Sequence, residues 1–117
     1  MTNKTRKITT IVADVIVLMM VGGGAVAKII KVPKVLSDFT KLGVGEYTQI
    51  LGFTELILLG LLLYPKTMRF SYFLICGYFG GAIATHLSHA DNPVSPIVPL
   101  LVVTLSVVLR DRKFFAP

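Results

Sequence analysis

Apolar residues run along the chain in four long blocks, and the charged residues stand almost wholly between them. A helix needs about 20 mainly apolar residues to cross a bilayer. On that scale the blocks predict helices over residues 8–30, 46–64, 70–90 and 94–110. Pro65 closes the second block. The fourth is short unless it begins near Val94, and Pro93, Pro96 and Pro99 crowd its start. Proline lacks the N–H that a helix interior needs but is tolerated in a first turn, so a bent or partly re-entrant start is expected there.

Composition points the same way. Of 117 residues, 54% are hydrophobic and only 15% charged, with a mean hydropathy of +0.77. A water-soluble domain of this size would need far more polar surface. The expected architecture is all-α: a single membrane-spanning four-helix bundle. Cys76, the one cysteine, lies inside an apolar block and reads as a small buried hydrophobe.

The net charge of +6 raises nucleic acid as a partner, but its distribution argues against one. Lys4, Arg6 and Lys7, then Lys66 and Arg69, then Arg110, Arg112 and Lys113 flank the apolar blocks. That is the pattern of topology signals and anionic-lipid contacts, and it puts both termini on the cytoplasmic side. Lys31, Lys34 and Lys41 disagree, since this topology leaves them outside with Asp38. The first block also carries a basic start and Ala25-Val26-Ala27, which looks like a signal-peptide cleavage site. Asp14 interrupts its apolar stretch, and a retained helix is preferred.

Glu55 is the only charge in the run from Gln49 to Tyr64. An acid at the centre of a spanning helix costs about 2.5–3.5 kcal/mol and ordinarily faces a partner or a pocket. Gly45, Thr48, Gly52 and Glu55 recur at three- and four-residue spacing, so they share one face, where small residues let a second helix approach. Gly77, Gly81, Ala84, Thr85 and Ser88 form a similar stripe on the third block, read first as a packing seam. His86 falls nearly opposite that stripe and can face another neighbour; it is read as buried and functional, and His89 as an interfacial residue. Two imidazoles alone make a weak metal signal, and no metal is expected. Sign and depth would pair Lys28 with Glu55 or Glu46, and Asp14 with Arg69 or Arg110.

Lys28, Leu42-Gly43, Glu55, Pro65 and the stretch from Gly77-Tyr78 through Gly81-Ala82-Ile83-Ala84-Thr85-His86-Leu87 together resemble the DoxX-like family of small four-helix membrane proteins. The likeness covers nearly the whole chain, and GAIATHL is its most specific part. The resemblance implies a bacterial inner-membrane protein. It also implies kinship with quinone-linked sulfur-oxidising subunits and membrane oxidoreductase assemblies, and more distantly with assembly helpers and sterol-like-ligand binders. Fold likeness does not transfer chemistry.

Two functions follow. In the first, the bundle binds a lipophilic small molecule such as a quinone, with Glu55 and His86 on its polar head, Lys28 as supporting charge and Tyr78 as hydrogen-bond donor. The chain shows no CxxC pair, haem-attachment motif, dinucleotide fingerprint or iron–sulfur spacing, so no intrinsic cofactor is expected and electrons would come from a membrane redox partner. In the second, the chain is a non-catalytic scaffold whose small-residue stripes receive the helices of another membrane protein or of a second copy. A transporter is disfavoured because no internal repeat is visible.

Overall fold

Thr2 starts the first helix by accepting the Thr5 backbone N–H on its hydroxyl at 3.1 Å, which satisfies one of the free donors at a helix N-terminus. From there the computed structural model, which describes residues 2–111, is helical throughout, with no strand among the described residues. Helix α1 runs Asn3–Ile29, α2 Pro33–Lys41, α3 Thr48–Leu63, α4 Met68–Ser88 and α5 Val94–Arg110. A 3₁₀ turn, Gly45–Tyr47, leads into α3. Arg112 and Lys113, two of the basic residues used to orient the chain, lie outside the described residues.

Among the described residues, three segments are long and apolar enough to cross a membrane: α1, Gly45–Leu63 and α4. The fourth, α5, is apolar but has 17 residues, about 25 Å of helix against a hydrocarbon core of about 30 Å. It starts at Val94 directly after Pro93, and Ile97 N–H bonds the Pro93 carbonyl. Pro96 falls in the first turn, and Pro99 is carried inside the helix.

Each long helix packs on two others. The N-terminal half of α1 lies against α5 and its C-terminal half against α3, while α4 lies between α3 and α5. The inward face of α1 carries Ala13, Val17, Val21 and Ala25, all buried, at a constant spacing of four. At 3.6 residues per turn such a spacing drifts by about 40° per step. A π-helical turn over Leu18–Gly22 inserts extra backbone at the middle of this series and counters the drift. Val17 and Val21 then join Leu58, Leu59, Leu62, Met68, Tyr72, Ile75, Phe79, Val103 and Val107 in one core. The outer surface bears Ile50, Phe53, Ile57, Phe70, Phe73, Leu101 and Leu105, an apolar girdle suited to acyl chains.

Polar contacts tie the two ends. At one end Arg6 donates to the Leu109 carbonyl and Arg110 to those of Leu62 and Leu63, which satisfies orphan carbonyls at helix C-termini. Arg69 bonds Asp111 at 2.6 Å. Asp14 meets neither Arg69 nor Arg110, as charge alone had suggested; it accepts from Ser106 on α5. The reason is depth: both arginines sit at the helix ends, whereas Asp14 is three turns into α1, level with the buried Ser106. At the opposite end the α2–α3 connection touches the α4–α5 loop, with His89 beside Gly43.

The stretch between α1 and α3, read from sequence as a plain connection, forms α2. Pro33 occupies its first turn, where a missing N–H costs nothing, and Val35, Leu36 and Phe39 fall on one side. Lys31, Lys34 and Lys41 stay exposed.

Candidate functional site

The elements converge around a cavity of about 850 Å³ at the α2 end of the molecule, lined by residues from all five helices. Its walls include Met20, Val21, Leu51, Phe79 and Ala82, and Val35 and Phe39 of α2 close one side. The charged pair lies on its wall. Lys28 Nζ on α1 donates to Glu55 Oε1 on α3 at 2.7 Å, with the lysine side chain 15% exposed and the glutamate 4%. The same ammonium sits 5.7 Å from the centroid of Phe39, a cation–π distance that ties α2 to the pair. Of the two partners that sign and depth allowed for Lys28, the structure selects Glu55.

The second carboxylate oxygen, Glu55 Oε2, is buried and receives no hydrogen bond. The Tyr78 hydroxyl stands between Glu55 and the Leu51 carbonyl, 3.2 Å from the latter, and has one proton to give to either. An unsatisfied buried acceptor is rare and costs about 1–3 kcal/mol or more.

The small-residue face of α3 makes this pairing feasible. Thr48 is fully buried and Glu55 3% exposed. A Cβ at Gly52 would lie 2.7 Å from the Ala25 carbonyl oxygen and 2.9 Å from both Ile29 Cγ1 and Lys28 Cβ, so α1 and α3 touch backbone to backbone one turn from the ion pair. Gly45 meets α2 instead, since a Cβ there would strike Thr40 Oγ1 at 2.6 Å. Thr48 turns its hydroxyl to the Gly45 carbonyl at 2.7 Å, a local bond and not one across helices.

The stripe on α4 behaves differently. Gly77, Gly81 and Ala84 are exposed, and a Cβ at either glycine would meet nothing within 4 Å. They form no seam within the described chain. The buried face of α4 is set by Met68, Ser71, Tyr72, Ile75 and Phe79, whose spacing of three and four residues places larger side chains inward. Gly81 and half-buried Thr85 do reach the cavity lining, and Thr85 bonds the Gly81 carbonyl at 2.8 Å.

His86 is at the cavity mouth, its side chain 15% exposed, with Nδ1 2.9 Å from Asp91 Oδ2. The Asp91 N–H returns to the His86 carbonyl at 2.8 Å. His89 turns away to the Thr85 carbonyl and Ser88, so the two imidazoles do not converge.

A family model described as the DoxX-like family matches residues 12–109, which takes in the pair, the cavity walls and His86. The chain belongs to the DoxX-like family. No curated protein and no solved structure matches it. This DoxX-like chain, with its long apolar helices, is a small membrane protein.

Asp91 gives the site a pH-dependent contact. The hydrogen bond from His86, and then the Asn92 backbone N–H, hold its carboxyl below the usual aspartate range. A folded value below the unfolded one contributes stability that is full above about pH 4, the ordinary aspartate value, and is lost as pH falls through the folded value. Asp91→Asn is expected to lower the stability of this DoxX-like protein above about pH 4, where the wild type has the charged contact, and to converge with wild type at lower pH, so that the acid limb is flatter. Unfolding midpoints in detergent between pH 2 and 7 read this directly, and an unchanged acid limb would contradict it.

Proposed function

We propose that this protein binds a lipophilic small molecule in the interior cavity, with the Lys28–Glu55 pair at its polar head. Four helices then cross the membrane, both termini are cytoplasmic, and the cavity opens toward the outer face, where His86 and Asp91 sit. The bacterial inner membrane is the setting that fits this arrangement. The observation that carries the reading is the cavity itself: a volume of about 850 Å³ falls in the range of small-molecule sites. Its walls are mainly apolar, and a few polar groups converge on it. A quinone has the right size and polarity, and a redox partner in the membrane would supply its electrons. The basic cluster of Arg6, Arg69 and Arg110 at one end supports the orientation.

Cavity filling tests this without touching the charges. Ala82→Trp and Leu51→Trp replace wall residues by an indole, whereas Leu101→Trp alters the exposed outer face. Mass spectrometry of solvent extracts from purified protein is expected to find a small apolar molecule retained by wild type and by Leu101→Trp, and lost from both wall variants. Equal retention in all four proteins would overturn the reading.

The scaffold reading draws on one observation of its own. Gly77 is exposed with open space around it, room into which a second transmembrane helix of a partner or of another copy would fit. Recovery of one partner protein that is lost in Gly77→Leu, with no retained small molecule, would favour it.

A further inference from the structure

We infer that a second site, at the opposite end of the bundle from the interior cavity, holds the phosphate of an anionic phospholipid. A groove of about 540 Å³ opens there between α1, α5 and the α3–α4 turn, and its walls carry Arg6, Lys7 and Arg110. No Asp or Glu among the described residues lines it. The ion pairs of the described residues join Lys28 to Glu55, Arg69 to Asp111 and His86 to Asp91, and none of the three groove cations takes part. Three positive charges therefore share one groove with no carboxylate of the described chain in its walls.

Two of the three are already set in place. Arg6 bonds the Leu109 carbonyl through Nε and Nη2, and Arg110 bonds those of Leu62 and Leu63 through Nη1 and Nη2. Carbonyls fix a guanidinium without neutralising it, and each arginine spends two of its five N–H donors there and keeps the rest. Planar, pre-oriented donors suit the oxygens of a phosphate, and little freedom is left to lose on binding. Lys7, exposed at the rim, supplies the third charge. Basic pockets between membrane helices are a recurring way of holding lipid headgroups. The apolar part of the lining decides between a lipid and a free phosphate. Ile11, Pro65 and Leu109 belong to the groove, and Ile11 and Val15, one turn apart on α1 and both exposed, lead from it toward the middle of the span. An acyl chain attached to the phosphate covers that track, whereas an inorganic ion leaves it bare.

The test titrates dioleoyl phosphatidylglycerol and dioleoyl phosphatidylcholine onto the full chain in detergent and counts bound lipid by native mass spectrometry. Each basic side chain near an anionic headgroup is worth about fivefold in affinity, so wild type should hold phosphatidylglycerol about tenfold more tightly than phosphatidylcholine, or better. Lys7→Gln leaves the arginine bonds intact and should weaken phosphatidylglycerol about fivefold, while Lys7→Arg should keep the wild-type affinity. Lys66→Gln removes the same charge from an exposed position outside the groove and should stay within about twofold of wild type. Inorganic phosphate in large excess should leave the lipid in place. Equal binding of the two lipids, or equal losses in Lys7→Gln and Lys66→Gln, overturns the site in favour of a diffuse basic surface. Displacement by inorganic phosphate overturns the lipid as its occupant. Ala82→Trp fills the interior cavity and should leave phosphatidylglycerol binding unchanged, so this inference and the cavity reading fail separately. Loss of phosphatidylglycerol in that variant would put the lipid in the interior cavity and overturn the second site.

Discussion

Lys28→Met is expected to destabilise the fold by about 3–5 kcal/mol, the usual consequence of removing one partner from a buried ion pair. Glu55 is 3% exposed, so loss of the ammonium strips its carboxylate of the Lys28 hydrogen bond and of its counter-charge together. The cation–π contact that holds Phe39 of α2 goes with it. The double variant Lys28→Met/Glu55→Leu is expected to recover most of the loss. The attraction within a buried pair is largely offset by the cost of taking both ions out of a polar medium, and apolar replacements of similar volume are often neutral. Arg69→Met supplies the contrast. Its side chain is 61% exposed against Asp111, where such pairs contribute about 1 kcal/mol or less. Unfolding midpoints in mild detergent, read by circular dichroism against added dodecyl sulfate, separate the three. If Lys28→Met and Arg69→Met fell by the same small amount, the pair would have no structural role.

Gly52→Leu is expected to prevent the native packing of α1 on α3, and Gly52→Ala to cost about 1–3 kcal/mol. The added methyl meets a backbone carbonyl at 2.7 Å, and backbone cannot step aside as a flexible side-chain tip does. The helices must move apart, which also stretches the 2.7 Å bond one turn away between Lys28 and Glu55. Gly77→Ala and Gly60→Ala are the controls, with open space at both positions. They are expected to stay within about 0.5 kcal/mol of wild type or to gain slightly, since alanine is the better helix former. The same unfolding series checks this. A Gly52→Ala midpoint indistinguishable from Gly77→Ala would refute the close approach.

The difference between those two glycines shows what the sequence could reveal. On α3, the spacing of Gly45, Thr48, Gly52 and Glu55 coincided with an isolated acid, and an acid in lipid must turn inward, so small-residue spacing and charge together fixed the face. On α4 no charge oriented the helix. Gly77, Gly81 and Ala84 share a face, but so do Met68, Ser71, Tyr72, Ile75 and Phe79, and only packing against α3 and α5 decides which turns inward. The larger side chains fill the space there. Lys28 and Glu55 could be matched by sign and depth because α1 and α3 run past each other at that level. Asp14 could not, because its partner Ser106 carries no charge to advertise it.

Two parts of the site left weaker marks. Helix α2 is only nine residues long, too short for a hydropathy window, yet Pro33 followed by Val35, Leu36 and Phe39 is a legible signature of an amphipathic turn. Gly24 sits in the run Gly22-Gly23-Gly24, and only the fold brings it near the charged pair, where a Cβ on it would stand 3.9 Å from Lys28 Nζ and 4.0 Å from Glu55 Oε2.

Cysteine accessibility on α4 tests the central claim, an interior cavity walled off from lipid and open to the outside. Ala82 lines the cavity, whereas Gly80, two residues away and so at nearly the same depth, is exposed on the outer face with nothing around it. In a Cys76→Ser background, a charged, membrane-impermeant thiol reagent applied to the outside of intact cells is expected to modify Ala82→Cys and to leave Gly80→Cys untouched. Modification of Gly80→Cys in preference to Ala82→Cys, or of Ala82→Cys only after the cells are opened, would contradict it.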